Sequence, residues 1–290
     1  MAGLFVLANY GERSSAARVV TILLTITIGL LFTAAGAFTS QWVGLLMVAA
    51  LAASLLYLIP SVQQAVAGSL PLRPGSTVNY VAVSLALLLF AFQLGTQLTV
   101  DVLGLLAKSP PFTLADLLVQ EIPLIVIAVL GVGFLVRRSW PETIDRLGLR
   151  PLRKTWWAYA LVAVVAFLAV GYGIDQLATW LSPDTQKRVN DASQVVFHSL
   201  SNPGAVVLLG LTAGVSEELI FRGAMLPRFG VLATSLLFAA VHTQYGITFA
   251  TLEVFVIGLG LGWLRLRAGT LACIASHAGY DIIVGLLALH

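Results

Sequence analysis

Charge is scarce in this chain. Of 290 residues only 10% are Asp, Glu, Lys or Arg, against 59% hydrophobic, and the mean hydropathy is +0.95. A soluble domain carries about 25% charged and about 45–50% apolar residues. A water-exposed globule is therefore excluded, and an all-α polytopic membrane protein is expected. The formal net charge is only +3 and no dense basic run occurs, so nucleic acid is excluded as a partner despite a pI of 9.2. The single cysteine, Cys273, allows neither a disulfide framework nor a cysteine zinc site. Lying in an apolar stretch, it reads as a small buried hydrophobe. Histidine is also rare: the four are His198, His242, His277 and His290, all in the C-terminal half.

Long apolar runs are what the chain has instead. A spanning helix takes about 20 apolar residues, with about 17 to 25 tolerated. Nine segments are candidates: 19–38, 43–59, 78–100, 117–136, 156–177, 205–215, 231–241, 247–264 and 271–289. The sixth and seventh are too short as pure apolar runs. They reach full length only if 216–221 and 242–244 continue the same helices, which carries Glu217, Glu218 and His242 to membrane depth. Lys and Arg accumulate in cytoplasmic loops. With nine passes and a cytoplasmic N-terminus, 13 of the 16 cationic residues fall inside, leaving Lys108, Lys187 and Arg188 outside. Ala35, Gly36 and Ala37 have the small residues of a signal-peptidase site. The preceding apolar run is long for a signal and the basic region begins late, so a span is expected there.

By composition the chain divides into residues 1–136, with four spans and no recognisable polar constellation, a basic cytoplasmic loop at 137–154, and residues 155–290. The last part holds every histidine and most of the acids found inside apolar runs. Gly210 and Gly214, and Gly258 and Gly262, offer smooth helix faces for close packing. Asp101, Asp116, Glu121 and Asp175 sit near span ends and read as interfacial anchors, as do Trp42, Trp140, Trp156, Trp157, Trp180 and Trp263. Glu253, inside 247–264, reads as a structural hydrogen bond to a neighbouring helix. His198 in the outer loop 181–203 and His290 at the terminus read as solvated.

An ionisable group in a membrane helix costs about 2.5–3.5 kcal/mol on insertion scales, so it normally has a function. The C-terminal part concentrates such groups. Glu218 and Arg222 stand four residues apart and can pair on one helix face, as can His277 and Asp281. Glu217 is rotated about 100° from Glu218. One carboxylate can therefore be neutralised by Arg222 while its neighbour faces a cavity. If these helices pack together, a general base, proton shuttles and hydrogen-bond donors for an oxyanion converge in a low-dielectric site. Spacing alone leaves three readings open: a hydrolase, a proton-coupled transporter or a structural polar core.

The ordered motifs resemble those of the CPBP family of intramembrane proteases, the CAAX protease and bacteriocin-processing (Abi) family. The family pattern is E-E-x-x-x-R, then F-x-x-x-H, then H-x-x-x-N/D. Here it is carried by Glu217, Glu218 and Arg222, by Phe238 and His242, and by His277 and Asp281. Leu147, Gly148 and Leu149 after the basic loop, and the glycine-rich run ending at Trp263, also look like the family. The resemblance covers roughly residues 142–290 and implies a CPBP-type helical core in the C-terminal half.

It further implies a Glu-dependent endopeptidase, with no cofactor expected, acting on a membrane-associated or lipidated, CAAX-like peptide or protein within the lipid bilayer; the chain's size and the lack of a transit-peptide pattern point to a prokaryotic cell membrane. Glu217 would be the general base, assisted by His242. His277 and the residue at Asp281 would stabilise the oxyanion, and Glu218 and Arg222 would orient Glu217. A carboxylate cannot donate as the family's asparagine does, so Asp281 is either protonated or only orients His277. Zinc on Glu217, His242 and His277 stays open as a metal alternative. Two readings from other classes also stand: a non-proteolytic scaffold or bacteriocin self-immunity protein, and a proton-coupled transporter. The sequence carries no signal for an oligomeric state.

Overall fold

The computed structural model describes residues 1–110, 113–199 and 202–289, except the side chains of 114 and 195–199. His290 and the side chain of His198 lie outside the described residues. The chain runs through α1 (Ala2–Gly11), α2 (Ser15–Thr39), α3 (Gln41–Leu56), α4 (Pro60–Ala67), α5 (Thr77–Thr99), α6 (Val102–Leu106) and α7 (Leu114–Gly131). It continues through α8 (Trp140–Leu147), α9 (Trp156–Leu181), α10 (Pro183–Ser199), α11 (Pro203–Glu218), a π-helical turn (Leu219–Met225) and α12 (Leu226–Val241). A 3₁₀ turn (Thr243–Tyr245), α13 (Phe249–Ala268) and α14 (Thr270–Leu287) complete it. Among the described residues the one β-type pairing is an isolated bridge between Phe134 and Arg138.

Short polar residues set the helix starts by accepting otherwise unpaired backbone N–H groups. Ser14 caps α2, Ser76 caps α5 and Asn202 caps α11 through their side-chain oxygens. Thr113 with Asp116, and Ser139 with Glu142, form reciprocal capping boxes at α7 and α8. Gly148, in the left-handed region at φ 70°, ends α8.

Among the described residues six helical stretches are long and apolar enough to cross a membrane, or seven if α3 and α4, bent by 97°, form one broken span. The count of nine passes expected from sequence is not confirmed. Segment 43–59 is helical only as far as Leu56, and the 97° bend into α4 follows it. Segment 117–136 ends as helix at Gly131, followed by a turn in which Gly133 and Leu135 have positive φ. Segments 205–215 and 231–241 fall in one helical stretch, Pro203–Val241. Five further helices, α1, α4, α6, α8 and α10, escaped the sequence pattern. α1 is only 10 residues long, and the outer loop at 181–203 is largely the polar helix α10.

The stretch Pro203–Val241 is not straight. Glu217 and His242 are 25 residues apart, which in a continuous helix means about 37 Å. Their side chains lie 3.8 Å apart. The reversal falls midway, at Gly230, whose φ of 71° and ψ of 177° only glycine adopts readily. A Cβ there would meet nothing within 4 Å, so the requirement is conformational and not steric. The second limb is a half-length return that delivers His242 back to the level of Glu217.

In lipid, helices associate through close packing, not through a hydrophobic effect. α11 and α14 do so through small residues: a Cβ on Gly210 would lie 2.7 Å from the Ile282 side chain, and one on Gly214 would lie 2.9 Å from Ala278. Gly258 and Gly262 likewise admit Ser235, Phe238 and Val231 of α12 against α13. Cys273 is fully buried in the cluster joining α9, α13 and α14, as expected. Five of the tryptophans are exposed at the helix surfaces, with Trp180 79% exposed, while Trp156 packs against the α9–α13 core.

Candidate active site

The α11–α14 contact is what builds the site. By seating Gly214 against Ala278, it places Glu217 and Glu218, one turn further along α11, beside His277 on α14. The π-helical turn then swings Arg222 inward, and single-turn π insertions of this kind recur at functional sites. α7 and α8 brace that turn from outside: Ala128, Val132 and Leu147 pack with Leu219 and Ala224, and a Cβ on Gly223 would meet Leu147 at 3.0 Å.

Glu218 and Arg222 form a fully buried ion pair, Nη1 to Oε1 at 2.7 Å. The guanidinium also donates to the Gly258 carbonyl at 3.3 Å and lies 4.2 Å above the Phe238 ring. The same Glu218 Oε1 accepts from His277 Nδ1 at 2.8 Å. His277 Nε2 then lies 3.4 Å from Asp281 Oδ2 and 3.9 Å from Glu217 Oε2. His242 Nδ1 pairs with the Phe238 carbonyl at 2.7 Å. Since a carbonyl only accepts, Nδ1 carries the hydrogen, and Nε2 of the neutral ring presents its lone pair 3.8 Å from Glu217 Oε2. Among the described residues that Glu217 oxygen, itself buried, has no hydrogen-bond partner. The Phe238 ring packs 4.6 Å from His242 and 5.9 Å from His277, holding both imidazoles.

All six residues singled out by the sequence thus meet: Glu217, Glu218, Arg222, His242, His277 and Asp281. The division of labour between the adjacent glutamates is the expected one, with Glu218 neutralised by Arg222 and Glu217 facing the imidazoles. Glu253 makes the expected interhelical bond, accepting from the Tyr280 hydroxyl. A Cβ on Gly171 of α9 would lie 2.7 Å from the Glu253 carboxylate. Among the described residues no group of three or more His, Cys, Asp or Glu is spaced to hold a metal ion.

Glu121 requires a correction. It is not an interfacial anchor: it is 3% exposed and accepts from the hydroxyl of Ser216, the residue before Glu217. Its position seven residues into α7, past the capped end, was the available signal. Asp101 and Asp116 are exposed and cap helix starts, and Asp175 accepts from Gln186 at 2.6 Å. Sequence also missed Tyr245, whose ring lies parallel to that of His242 at 6.4 Å. Tyr245 packs under Leu103 of α6 and Val189 of α10, so these two helices, joined by an Arg188–Asp101 ion pair, cap that corner of the site.

The fold and site define a class: a polytopic helical membrane protein with a buried glutamate–arginine–histidine constellation assembled from separate helices. Residues 199–283 match the family model described as type II CAAX prenyl endopeptidase Rce1-like. With its three ordered motifs, this C-terminal segment is similar to that family. It is 32% identical over 154 residues to an Escherichia coli protein described as an uncharacterized 24.3 kDa protein, covering 48% of this chain and 65% of that one. It is 25% identical over 145 residues to the uncharacterized protein YpbD of Bacillus subtilis (strain 168), covering 48% of this chain and 73% of YpbD. The chain therefore spans less than two thirds of the Escherichia coli relative. No solved structure matches it.

Proposed function

We propose that this protein is an intramembrane endopeptidase that hydrolyses a peptide bond in a membrane-associated or lipidated, CAAX-like substrate, with Glu217 activating the attacking water. One observation carries the reading: the unpartnered Glu217 Oε2 faces the lone-pair nitrogen of His242 at 3.8 Å. Two acceptors at that separation are too far apart for a direct bond and are suitably spaced for one water donating to both.

In the proposed reaction Glu217 takes a proton from that water as its oxygen attacks the carbonyl carbon. The oxyanion accepts a hydrogen bond from the protonated Nε2 of His277, whose ring Glu218 fixes through Nδ1. The tetrahedral intermediate collapses, the C–N bond breaks, and the proton held by Glu217 passes to the departing amine. Asp281 acts as an acceptor that keeps His277 Nε2–H in place. Glu218 and Arg222 hold the carboxylate of Glu217 clear of direct neutralisation. No cofactor enters this scheme. The family match to CAAX prenyl endopeptidases supports the reaction class.

The test is cleavage by the purified protein in nanodiscs of a panel of prenylated and unprenylated peptides, read by mass spectrometry, with Glu217→Gln beside the wild type. Cleavage at one bond that disappears in Glu217→Gln supports the proposal. Equal cleavage by both proteins overturns the role of Glu217. A cellular phenotype that survives Glu217→Gln unchanged moves the reading to a scaffold or immunity protein, and pH-driven solute flux in liposomes moves it to a transporter.

A further inference from the structure

A groove of about 410 Å³ runs between α9 and α13. Val162 and Trp263, both exposed, are among its lining residues, so it opens at the surface. Its depth comes from alanines of α9, Ala163 and Ala166 among them, set against Gly260 of α13. Phe167 closes one end, packed so near that a Cβ on Gly260 would lie 2.6 Å from its ring. Tyr159 and Trp263 stand toward the other end, where α9 begins and α13 finishes. From Tyr159 to Phe167 the helix rises about 12 Å. An unfilled groove forfeits dispersion contacts along its whole lining, and what a bilayer supplies to fill it is an acyl chain. None of the six residues gathered at the candidate active site lines it.

Charge at the aromatic end narrows the occupant. The Arg153 guanidinium lies 5.9 Å from the centre of the Tyr159 ring, and that of Arg267 lies 5.4 Å from the Trp263 ring. Arg153 Nε also donates to the Arg267 carbonyl at 3.2 Å, which ties the two residues together. A cation over a ring face is attracted to it, so both guanidiniums are held at the mouth of the groove. Among the described residues neither makes an ion pair. The acid closest in sequence to Arg153 is Asp145, and Arg150 takes it at 2.8 Å. An apolar trough that ends beneath two uncompensated guanidiniums matches a lipid chain joined to an anion, and the planar guanidinium suits phosphate oxygens. We propose that the α9–α13 groove binds one anionic phospholipid, with an acyl chain against Phe167 and Gly260 and its phosphate between Arg153 and Arg267. A zwitterionic phospholipid can lay a chain in the same trough, but its own cation competes with the arginines for the phosphate.

The experiment is native mass spectrometry of the full-length protein from detergent micelles, titrated with phosphatidylglycerol or with phosphatidylcholine of the same acyl chains. Each basic residue beside an anionic headgroup contributes about fivefold in affinity. The wild type is therefore expected to hold one phosphatidylglycerol about tenfold or more tightly than phosphatidylcholine. Arg153→Gln combined with Arg267→Gln should abolish that preference. Lys108→Gln combined with Lys187→Gln removes the same charge from two exposed lysines outside the groove and should keep it. Ala166→Phe fills the trough, leaves both arginines in place and should weaken both lipids; it carries the test should the arginine variant fail to fold. Equal binding of the two lipids by the wild type overturns the proposal, as does an undiminished preference in the arginine variant. A preference lost equally in the lysine variant would assign it to net charge, and unchanged binding in Ala166→Phe would place the lipid elsewhere; either result overturns the proposal. Displacement of the bound lipid by an equimolar prenylated peptide would give the groove to a substrate's lipid chain instead.

Discussion

His277 Nδ1 donates to the Glu218 carboxylate at 2.8 Å, and this bond decides which ring nitrogen faces Glu217. Because the same oxygen also holds Arg222, one fully buried carboxylate fixes both an imidazole and a guanidinium. Removing one partner of a buried pair costs far more than the pair contributes, since the other charge is left uncompensated. Glu218→Ala is therefore expected to destabilise the protein by about 3–5 kcal/mol, read by thermal unfolding in detergent. Unchanged stability would mean that Arg222 finds another partner and that Glu218 does not organise the site.

Asp281 stands in the family's N/D position and lies 3.4 Å from His277 Nε2. As an acceptor it steadies the histidine, but its charge repels an oxyanion. Asparagine keeps an acceptor oxygen and removes that repulsion. Asp281→Asn is thus expected to preserve kcat or raise it, measured with any peptide the wild type cleaves. Complete loss of cleavage would contradict both the orienting and the protonated-donor roles.

Gly214 lets α11 approach α14 closely enough to bring Glu217 to His277. A Cβ would lie 2.9 Å from both the backbone nitrogen and the Cβ of Ala278, so the helices must separate by some tenths of an ångström. Gly214→Val is expected to lower stability by about 1–3 kcal/mol and kcat by about 10²-fold, the usual consequence of misplacing reacting groups. Gly173→Ala, with nothing within 4 Å of its Cβ, is the control. Equal behaviour of the two variants would remove the close contact as the source of the site's geometry.

The parts of this site that could be read in the sequence are those governed by a local period. Glu218 with Arg222, and His277 with Asp281, follow from a four-residue helical spacing, and their order along the chain carried the family resemblance. What could not be read depends on backbone breaks and on long-range packing. Nothing in the local pattern distinguishes Gly230, which reverses the chain, from the other glycines, and the π-helical turn that aims Arg222 has an ordinary helical sequence. Glu121 meets Ser216 only because α7 packs beside α11, a relationship between residues far apart in the chain. Hydropathy likewise sees apolar length, not the bend between α3 and α4 or the chain reversal at Gly230.

Zinc on Glu217, His242 and His277 would be held at about 2.0–2.1 Å from each ligand atom. Tetrahedral ligands at that range are about 3.4 Å apart, against 3.8 and 3.9 Å from the Glu217 oxygen to the two Nε2 atoms. The proposed mechanism sets a water, not a metal, between these atoms. Cleavage is expected to survive exhaustive chelation in nanodiscs. Loss on chelation with recovery on adding zinc would replace the metal-free mechanism.

Glu12, in the turn between α1 and α2, ties the N-terminal helices to the start of α5. Burial pushes its carboxyl upward, but hydrogen bonds from Ser76 Oγ at 2.7 Å and the Val78 N–H at 3.0 Å, with Arg137 and Arg73 nearby, outweigh that and leave it below the usual carboxylate range. Arg73 is mostly exposed, so solvent screens its share. A group whose value is depressed on folding stabilises the folded state above its unfolded value, about 4.3 for Glu. That contribution is lost as pH falls through the lower folded value. The stability difference between wild type and Glu12→Gln should therefore be flat above about pH 5 and shrink progressively below about pH 4.3. Parallel denaturation series in one detergent from neutral to acidic pH measure it. A difference that stays constant on acidification would show that the Glu12 charge contributes nothing to holding α1, α2 and α5 together.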